Sequence, residues 1–176
     1  MATQTWNVDT SHSGIHFSVR HMMIAKVRGT FTAWSGSIAL DDADISKSVI
    51  KGDIEVGSID TSEPKRDGHL KSPDFFDAAT FPKITFESTK ISGDSGHFKV
   101  AGNFTLHGVT KELTLDVTHE GGGKDPWGNE RQAFTAKGSL NRTDFGLKWN
   151  QALEAGGVLV GEKVEIEVEV SAIKAK

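Results

Sequence analysis

An all-β fold, a single antiparallel barrel of about eight strands, is predicted by three features of this chain. Apolar and polar residues alternate over most of its length, glycine recurs on the apolar faces, and turn-forming residues interrupt the alternation at short intervals. Phe98, Val100, Gly102, Phe104 and Leu106 share one parity, and Lys99, Ala101, Asn103 and Thr105 the other. Ile50, Gly52, Ile54 and Val56 repeat the pattern, as do Phe134, Ala136, Gly138 and Leu140. Period-two alternation means strands with one buried and one solvated face. Glycine on a buried face leaves volume that a branched side chain would otherwise fill, which predicts a container more than a packed core. A two-sheet sandwich would use similar strands but would fill the space between its sheets. Glycines at bends of a curved sheet are the other explanation of the same residues.

The elements follow in order. Trp6 to Asp9 is a short opening strand and Asp9 to Gly14 a turn, after which Ile15, Phe17 and Val19 alternate with His16, Ser18 and Arg20. From Lys26 to Leu40 the apolar parity shifts between Phe31 and Ile38, which requires a bulge or bend that Gly29 and Gly36 can supply. Strands are then expected over 49–59, 83–91, 97–106, 113–119, 130–141 and 163–173. In the last, Val164, Ile166, Val168 and Val170 oppose Glu165, Glu167 and Glu169. Eight such strands in a closed barrel enclose room for one small ligand. Residues 62–81 lose the alternation and form a short helical insert. Ser62 with Pro64, and Ser72 with Pro73, are its two helix starts.

Bulk properties agree with one domain over residues 1–176. The 36% hydrophobic and 25% charged content is that of a globular protein. The net charge of −4 argues against a nucleic-acid partner. The absence of cysteine excludes disulfides, thiolate nucleophiles and Cys-ligated metals. No apolar run is long enough to span a membrane as a helix. No signal peptide opens the chain, so a cytoplasmic location is expected; a mature secreted chain with a replaced leader is the alternative. Ser, His and Asp occur together between Asp9 and Ser13, but adjacency in sequence is not triad geometry. There is no nucleophile elbow, phosphate loop or HExxH pair. His12 and His16 stand too far apart on an extended strand to share a metal. No enzyme activity, metal or cofactor is therefore expected.

Several blocks together resemble the YceI-like family. Val8-Asp9-Thr10-Ser11-His12-Ser13 and Phe17-Ser18-Val19-Arg20-His21 open the chain as that family opens. Ser58-Ile59-Asp60-Thr61, Arg66-Asp67-Gly68-His69-Leu70 and Asp74-Phe75-Phe76-Asp77 are similar to its central signature. Phe81-Pro82-Lys83-Ile84-Thr85-Phe86, Leu106-His107-Gly108-Val109-Thr110-Lys111, Asn141-Arg142-Thr143-Asp144-Phe145-Gly146 and Gly161-Glu162-Lys163-Val164 continue the match to the C-terminus. The resemblance implies a lipocalin-like barrel that stores, transports or sequesters a polyisoprenoid lipid with a quinone or pyrophosphate headgroup. An enzyme acting on such a headgroup at the barrel mouth is the alternative.

The expected lumen is lined by Ile15, Phe17, Val19, Ile54, Val56 and Phe86. Val100, Phe104, Leu106, Leu113, Leu115, Phe134 and Leu140 complete it, with Phe75 and Phe76 as anchors of the insert. Gly102 and Gly138 are expected to leave it open, so that leucine at either would reduce lipid uptake while sparing the fold. Each buried methylene is worth about 0.8 kcal/mol, a large driving force for a prenyl chain, offset in part by the ordering of that chain. Headgroup candidates are Arg20 and His21, near Lys26 and Arg28, and Arg66 and His69 beside the insert. The plainer reading pairs Arg66 with acids such as Asp67 and leaves Lys26 and Arg28 on a solvated face. Arg142 and Asp144 read as structural. Transient membrane contact and a homodimer are both compatible with the pattern.

Overall fold

The computed structural model describes residues 3–41, 43–94, 96–151, 153 and 157–176. Eleven strands form one antiparallel sheet: β1 (Gln4–Val8), β2 (Gly14–His21), β3 (Ala25–Phe31), β4 (Trp34–Leu40), β5 (Val49–Glu55), β6 (Ile59–Asp60), β7 (Lys83–Gly93), β8 (His97–Leu106), β9 (Val109–Lys124), β10 (Glu130–Asn141) and β11 (Val160–Lys174). Eight of them close into a barrel in the order β1-β4-β5-β7-β8-β9-β10-β11, with β11 returning to β1. The fold is thus the expected all-β, lipocalin-like barrel with one short helix, α1 (Pro64–Lys71).

Closure depends on a turn. Asp9 accepts a hydrogen bond from the Ser11 N–H at 3.1 Å and caps a single 3₁₀ turn, Thr10–His12. This turn separates β1 from β2, so the two lie end to end along one edge of β11. β1 bonds β4 on its other side and completes the ring. β2 instead continues into β3 and the two-residue β6. β3 pairs with β6 and not with β5, and α1 packs beside β6.

The stretch from Lys26 to Leu40 is two strands, and the break falls at Thr32-Ala33, not at a glycine. Gly29 instead lies under the ring of Phe17, its cross-strand partner. The expected strand over 49–59 also divides. β5 ends at Glu55, and Val56–Ser58 form a 3₁₀ turn before β6.

The helical insert contains one helix, not two. Its cap is Glu63, one residue beyond Ser62, whose carboxylate accepts from the Lys65 and Arg66 N–H groups. Ser62 has φ 66°, on the approach to Pro64. No helix starts at Ser72. Its N–H and hydroxyl both bond the His69 carbonyl and close α1, and the chain winds back with the Phe76 N–H on Leu70 O and the Ala78 N–H on Lys71 O. Eight residues are too few for a helix stable in isolation. Phe75, 6% exposed, anchors the segment, and burying a phenylalanine is worth roughly 1.5–3 kcal/mol.

Two apolar clusters line the barrel from one end to the other. One joins Ile15, Phe31, Phe75, Phe104, Phe145 and Leu147 at the α1 end; the other joins Trp6, Ile38, Ile91, Phe98, Val117 and Phe134 at the far end. The outer surface carries ion pairs such as Lys51–Glu87, Lys99–Asp116 and Lys137–Glu167 at 3.6–3.7 Å. That is the reverse of a membrane-spanning barrel, whose outward band is apolar.

Candidate functional site

Inward alternation from β2, β5, β7–β11 and the insert converges on a cavity of about 590 Å³, within the range of about 300–1,000 Å³ usual for small-molecule sites. β11 alone lines it with Val160, Val164, Ile166, Val168 and Val170. Ten residues of strand cover about 33 Å, or roughly 25 Å along the axis at the usual barrel tilt. A volume of that size drawn out over that length fits a chain better than a compact ring system.

Fourteen of the expected apolar residues lie on its wall: Ile15, Phe17, Val19, Ile54, Phe75, Phe76, Phe86, Val100, Phe104, Leu106, Leu113, Leu115, Phe134 and Leu140. Three do not. Val56 is 1% exposed within the packed core, because the turn that ends β5 takes it off the strand's alternation. Gly102 and Gly138 leave no hollow. The Phe86 ring lies where a side chain on Gly102 would begin, and Glu87 O is 2.6 Å from the same point. Leu115 Cδ2 comes within 2.7 Å of the corresponding point on Gly138. Gly52 differs: a Cβ there would meet only Ser35 O, at 3.7 Å. Gly52 pairs with Gly36 across β4 and β5, and both line the cavity. The open volume therefore lies beside β4 and β5.

The polar rim gathers at the α1 end. Arg20, His21, Arg66 and His69 all reach the cavity wall there, with Lys65. Arg66 does not pair with Asp67. Its Nε and Nη2 donate to Thr61 Oγ1 and O at 2.8 and 2.6 Å, while Asp67 accepts from the Thr61 N–H and hydroxyl at 2.9 and 2.5 Å. His69 Nε2 is 2.8 Å from Asp74, and its ring is edge-on to Phe75 and Trp149. Lys26 turns outward to Glu165 at 3.4 Å, and Arg28 faces an outer groove.

Arg142, 4% exposed, also borders the cavity. Its guanidinium donates to the carbonyls of Gly161 (2.7 Å), Leu147 (2.6 Å), Trp149 (3.0 Å) and Val160 (3.2 Å). Burial pulls its pKa down, and Glu162 partly opposes this. Its hydrogen-bonding capacity goes into holding the loop after β10 to the start of β11, the structural role read from sequence. Trp34, Leu147, Trp149 and Leu159 line the cavity as well and were not anticipated. Leu147 and Trp149 follow the 3₁₀ turn Arg142–Phe145 that ends β10, where no alternation marks an inward side. Trp34 sits just past the parity break at Thr32-Ala33.

The Ser, His and Asp of the opening turn do not form a triad. Ser11 Oγ and Asp9 Oδ2 both approach the same nitrogen, His12 Nδ1, at 3.1 and 2.7 Å, on an exposed turn. A triad needs the two partners on opposite ring nitrogens. Among the described residues no three His, Asp or Glu side chains converge to hold a metal.

The sequence pattern of the YceI-like domain matches residues 6–172. The chain belongs to this family. A UPF0312 protein of Staphylococcus aureus strain N315 is 38% identical over 160 residues, covering 90% of this chain and 91% of that one. Among solved structures, the YceI protein of Campylobacter jejuni is 28% identical with a TM-score of 0.74, over 89% of this chain and 90% of that one. BcnA of Burkholderia cenocepacia superimposes with a TM-score of 0.81 at 24% identity, over 93% and 98%. A polyisoprenoid-binding domain from Saccharophagus degradans does so at 0.70 and 15% identity, over 98% and 99%. The last two likenesses establish the YceI barrel as a shared fold.

Proposed function

We propose that the protein binds one long-chain polyisoprenoid lipid in the barrel and carries or sequesters it without chemical change. The observation that supports this reading is the elongated cavity, lined mainly by apolar side chains along its length, with Arg20, His21, Arg66 and His69 gathered at the α1 rim. A prenyl chain would lie between β11 and the open β4–β5 wall, gaining about 0.8 kcal/mol per buried methylene. The headgroup would remain at Arg20, His21, Arg66 and His69, where a quinone oxygen or a pyrophosphate finds donors. The polyisoprenoid-binding domain of the same fold gives the ligand class its precedent. A carrier needs no converging nucleophile, base or metal.

Native mass spectrometry of the purified protein, followed by organic extraction, tests this. A stoichiometric adduct whose extract is a polyprenyl compound supports the reading. An empty protein that also takes up no added polyprenyl lipid sinks it. Turnover of a prenyl quinone or pyrophosphate, abolished by a single rim substitution, would replace carriage with catalysis.

A further inference from the structure

The hairpin between β2 and β3 displays the largest cluster of exposed apolar side chains among the described residues: Met22 at 47% exposure, Met23 at 60% and Ile24 at 80%. The three are consecutive and form the tip of the hairpin. Met22 and Met23 occupy the central positions of the turn with φ of 53° and 63°, and the Ile24 N–H donates to His21 O at 3.3 Å. Two positive-φ residues in a hairpin turn favour Asn-Gly, and non-glycine residues without a short polar side chain are strained there. The turn thus carries two thioether side chains at a conformational cost and leaves both substantially exposed, with the Met23 sulfur beside Gly157 of the β10–β11 connection. None of the three lines the cavity.

The hairpin's own charges have one sign, and its one ion pair among the described residues joins Lys26 to Glu165 of β11 at 3.4 Å. Residues 10–40 contain Arg20, Lys26 and Arg28 and three histidines, but no Asp or Glu, within a chain of net charge −4. The remainder of the chain therefore carries −7. A basic hairpin with an apolar tip, on an otherwise acidic protein, suits an interface that is negative outside and apolar a few ångströms deeper. Position adds a third argument. Met22 N–H donates to Leu159 O at 2.7 Å, and His21 is the register partner of Val160. His21, Leu159 and Val160 all line the cavity at the polar rim, so the tip and the mouth share one end of the barrel.

We propose that this hairpin is a membrane-docking device. Met22, Met23 and Ile24 insert into the headgroup layer of an anionic bilayer, the flanking cations hold the phosphates, and the mouth faces the lipid from which a guest enters or to which it returns. Docking by the tip does not depend on which guest the cavity holds. An equally exposed aromatic, Trp127 at 79%, lies on the β9–β10 hairpin at the opposite end and serves as the control.

The test is co-sedimentation of the full chain with phosphatidylcholine vesicles, with and without about one-third phosphatidylglycerol. The protein should sediment with the anionic vesicles at about 0.15 M salt and be released toward 1 M, where screening shortens to about 3 Å. Replacing Met23 and Ile24 together by serine should weaken partitioning about tenfold or more, and Ile24→Ser alone should do so severalfold. Trp127→Ser should bind as the parent does. Guest uptake from detergent solution should be the same in all variants, which separates this proposal from the one above. Failure of the parent to bind either vesicle, or undiminished binding by the double variant, overturns it. So does loss of binding through Trp127→Ser, or a vesicle-free dimer that the tip substitutions dissolve, which would assign the tip to a second copy of the chain.

Discussion

Two walls of the barrel carry glycine on their apolar faces, with opposite consequences. Across β8–β10, Gly102 and Gly138 are covered by the Phe86 ring and the Leu115 methyl group. Across β4–β5, Gly36 and Gly52 stand opposite each other, and the inward side of Gly52 is open. The first wall uses glycine to let a neighbour lie flat against the backbone, much as aromatic residues cover glycines in curved sheets. The second makes room at Gly52, while Val8 Cγ2 comes within 3.1 Å of the corresponding point on Gly36. A missing side chain creates a cavity only when no adjacent side chain can swing over it. Phe86 is the register partner of both Gly52 and Phe104, yet it leans diagonally onto Gly102. That one rotamer decides which wall is thick.

Substitutions that fill the glycines should separate the walls. Gly102→Leu has the largest expected effect, because Glu87 O is part of the backbone and cannot move aside. Overpacking of this kind costs about 3 kcal/mol, a loss of roughly 6–12 °C in melting temperature by calorimetry. Gly138→Ala should cost less, about 1–2 kcal/mol, because the flexible end of Leu115 accounts for the shortest contact and the backbone Thr114 O, tight at 3.3 Å, is less close than Glu87 O is at Gly102. A double-mutant cycle sharpens this: in a Leu115→Ala background the same change should be milder by about 1 kcal/mol. Additive costs would mean that Leu115 is not what closes the wall. Gly52→Leu should leave the melting temperature within about 2 °C, as at sites without close packing, while reducing uptake of the longest prenyl chains in native mass spectra. Unchanged uptake would show that the β4–β5 hollow is not where the guest lies.

The contrast between the walls marks where sequence reading stops. Alternation placed twelve strand residues on the cavity wall, because period two assigns a side to each residue once its strand is known, whereas Phe75 and Phe76 were read as anchors of the insert. It grouped Gly52 with Gly102 and Gly138, because parity says which way a side chain would point and nothing about what covers it. Covering depends on register and rotamer across strands distant in sequence. Val56 failed for a local reason: a 3₁₀ turn of three residues ends the alternation without any glycine or proline before it to announce the break. Trp149 and Leu159 belong to the connection between β10 and β11, which has no period. The helical insert was legible as an interruption, but not as one helix, since Ser72-Pro73 suits a helix start and a helix end equally well in isolation.

Acid should act on the two walls unequally, with the smallest effect of the series. At its far end the covered wall is tied by Arg131 of β10, which bonds Asp9 at 2.9 Å and Asp125 at 2.8 Å. The Ser11 hydroxyl, then Arg131 and His12, hold Asp9 far below the usual carboxylate range. Burial raises Asp125, but bonds from Arg131, Asn129 and the Trp127 N–H outweigh it and bring it to about 2. Carboxylates depressed in the folded state contribute stability that is present above their unfolded pKa, about 4, and lost as pH falls through the folded value. The open wall has a lowered carboxylate too, Asp44 beside Ser46, but it bonds only its own turn between β4 and β5. Between about pH 4 and 2, amide resonances at the Asp125 turn and along the β1–β11 seam should therefore shift or broaden before those of β4 and β5. Arg131→Met should move that onset to higher pH without changing the response of β4–β5. If β4 and β5 responded first, the open wall would be the weaker one, and the covered glycines would owe their order to packing with no help from the ion pairs at their end.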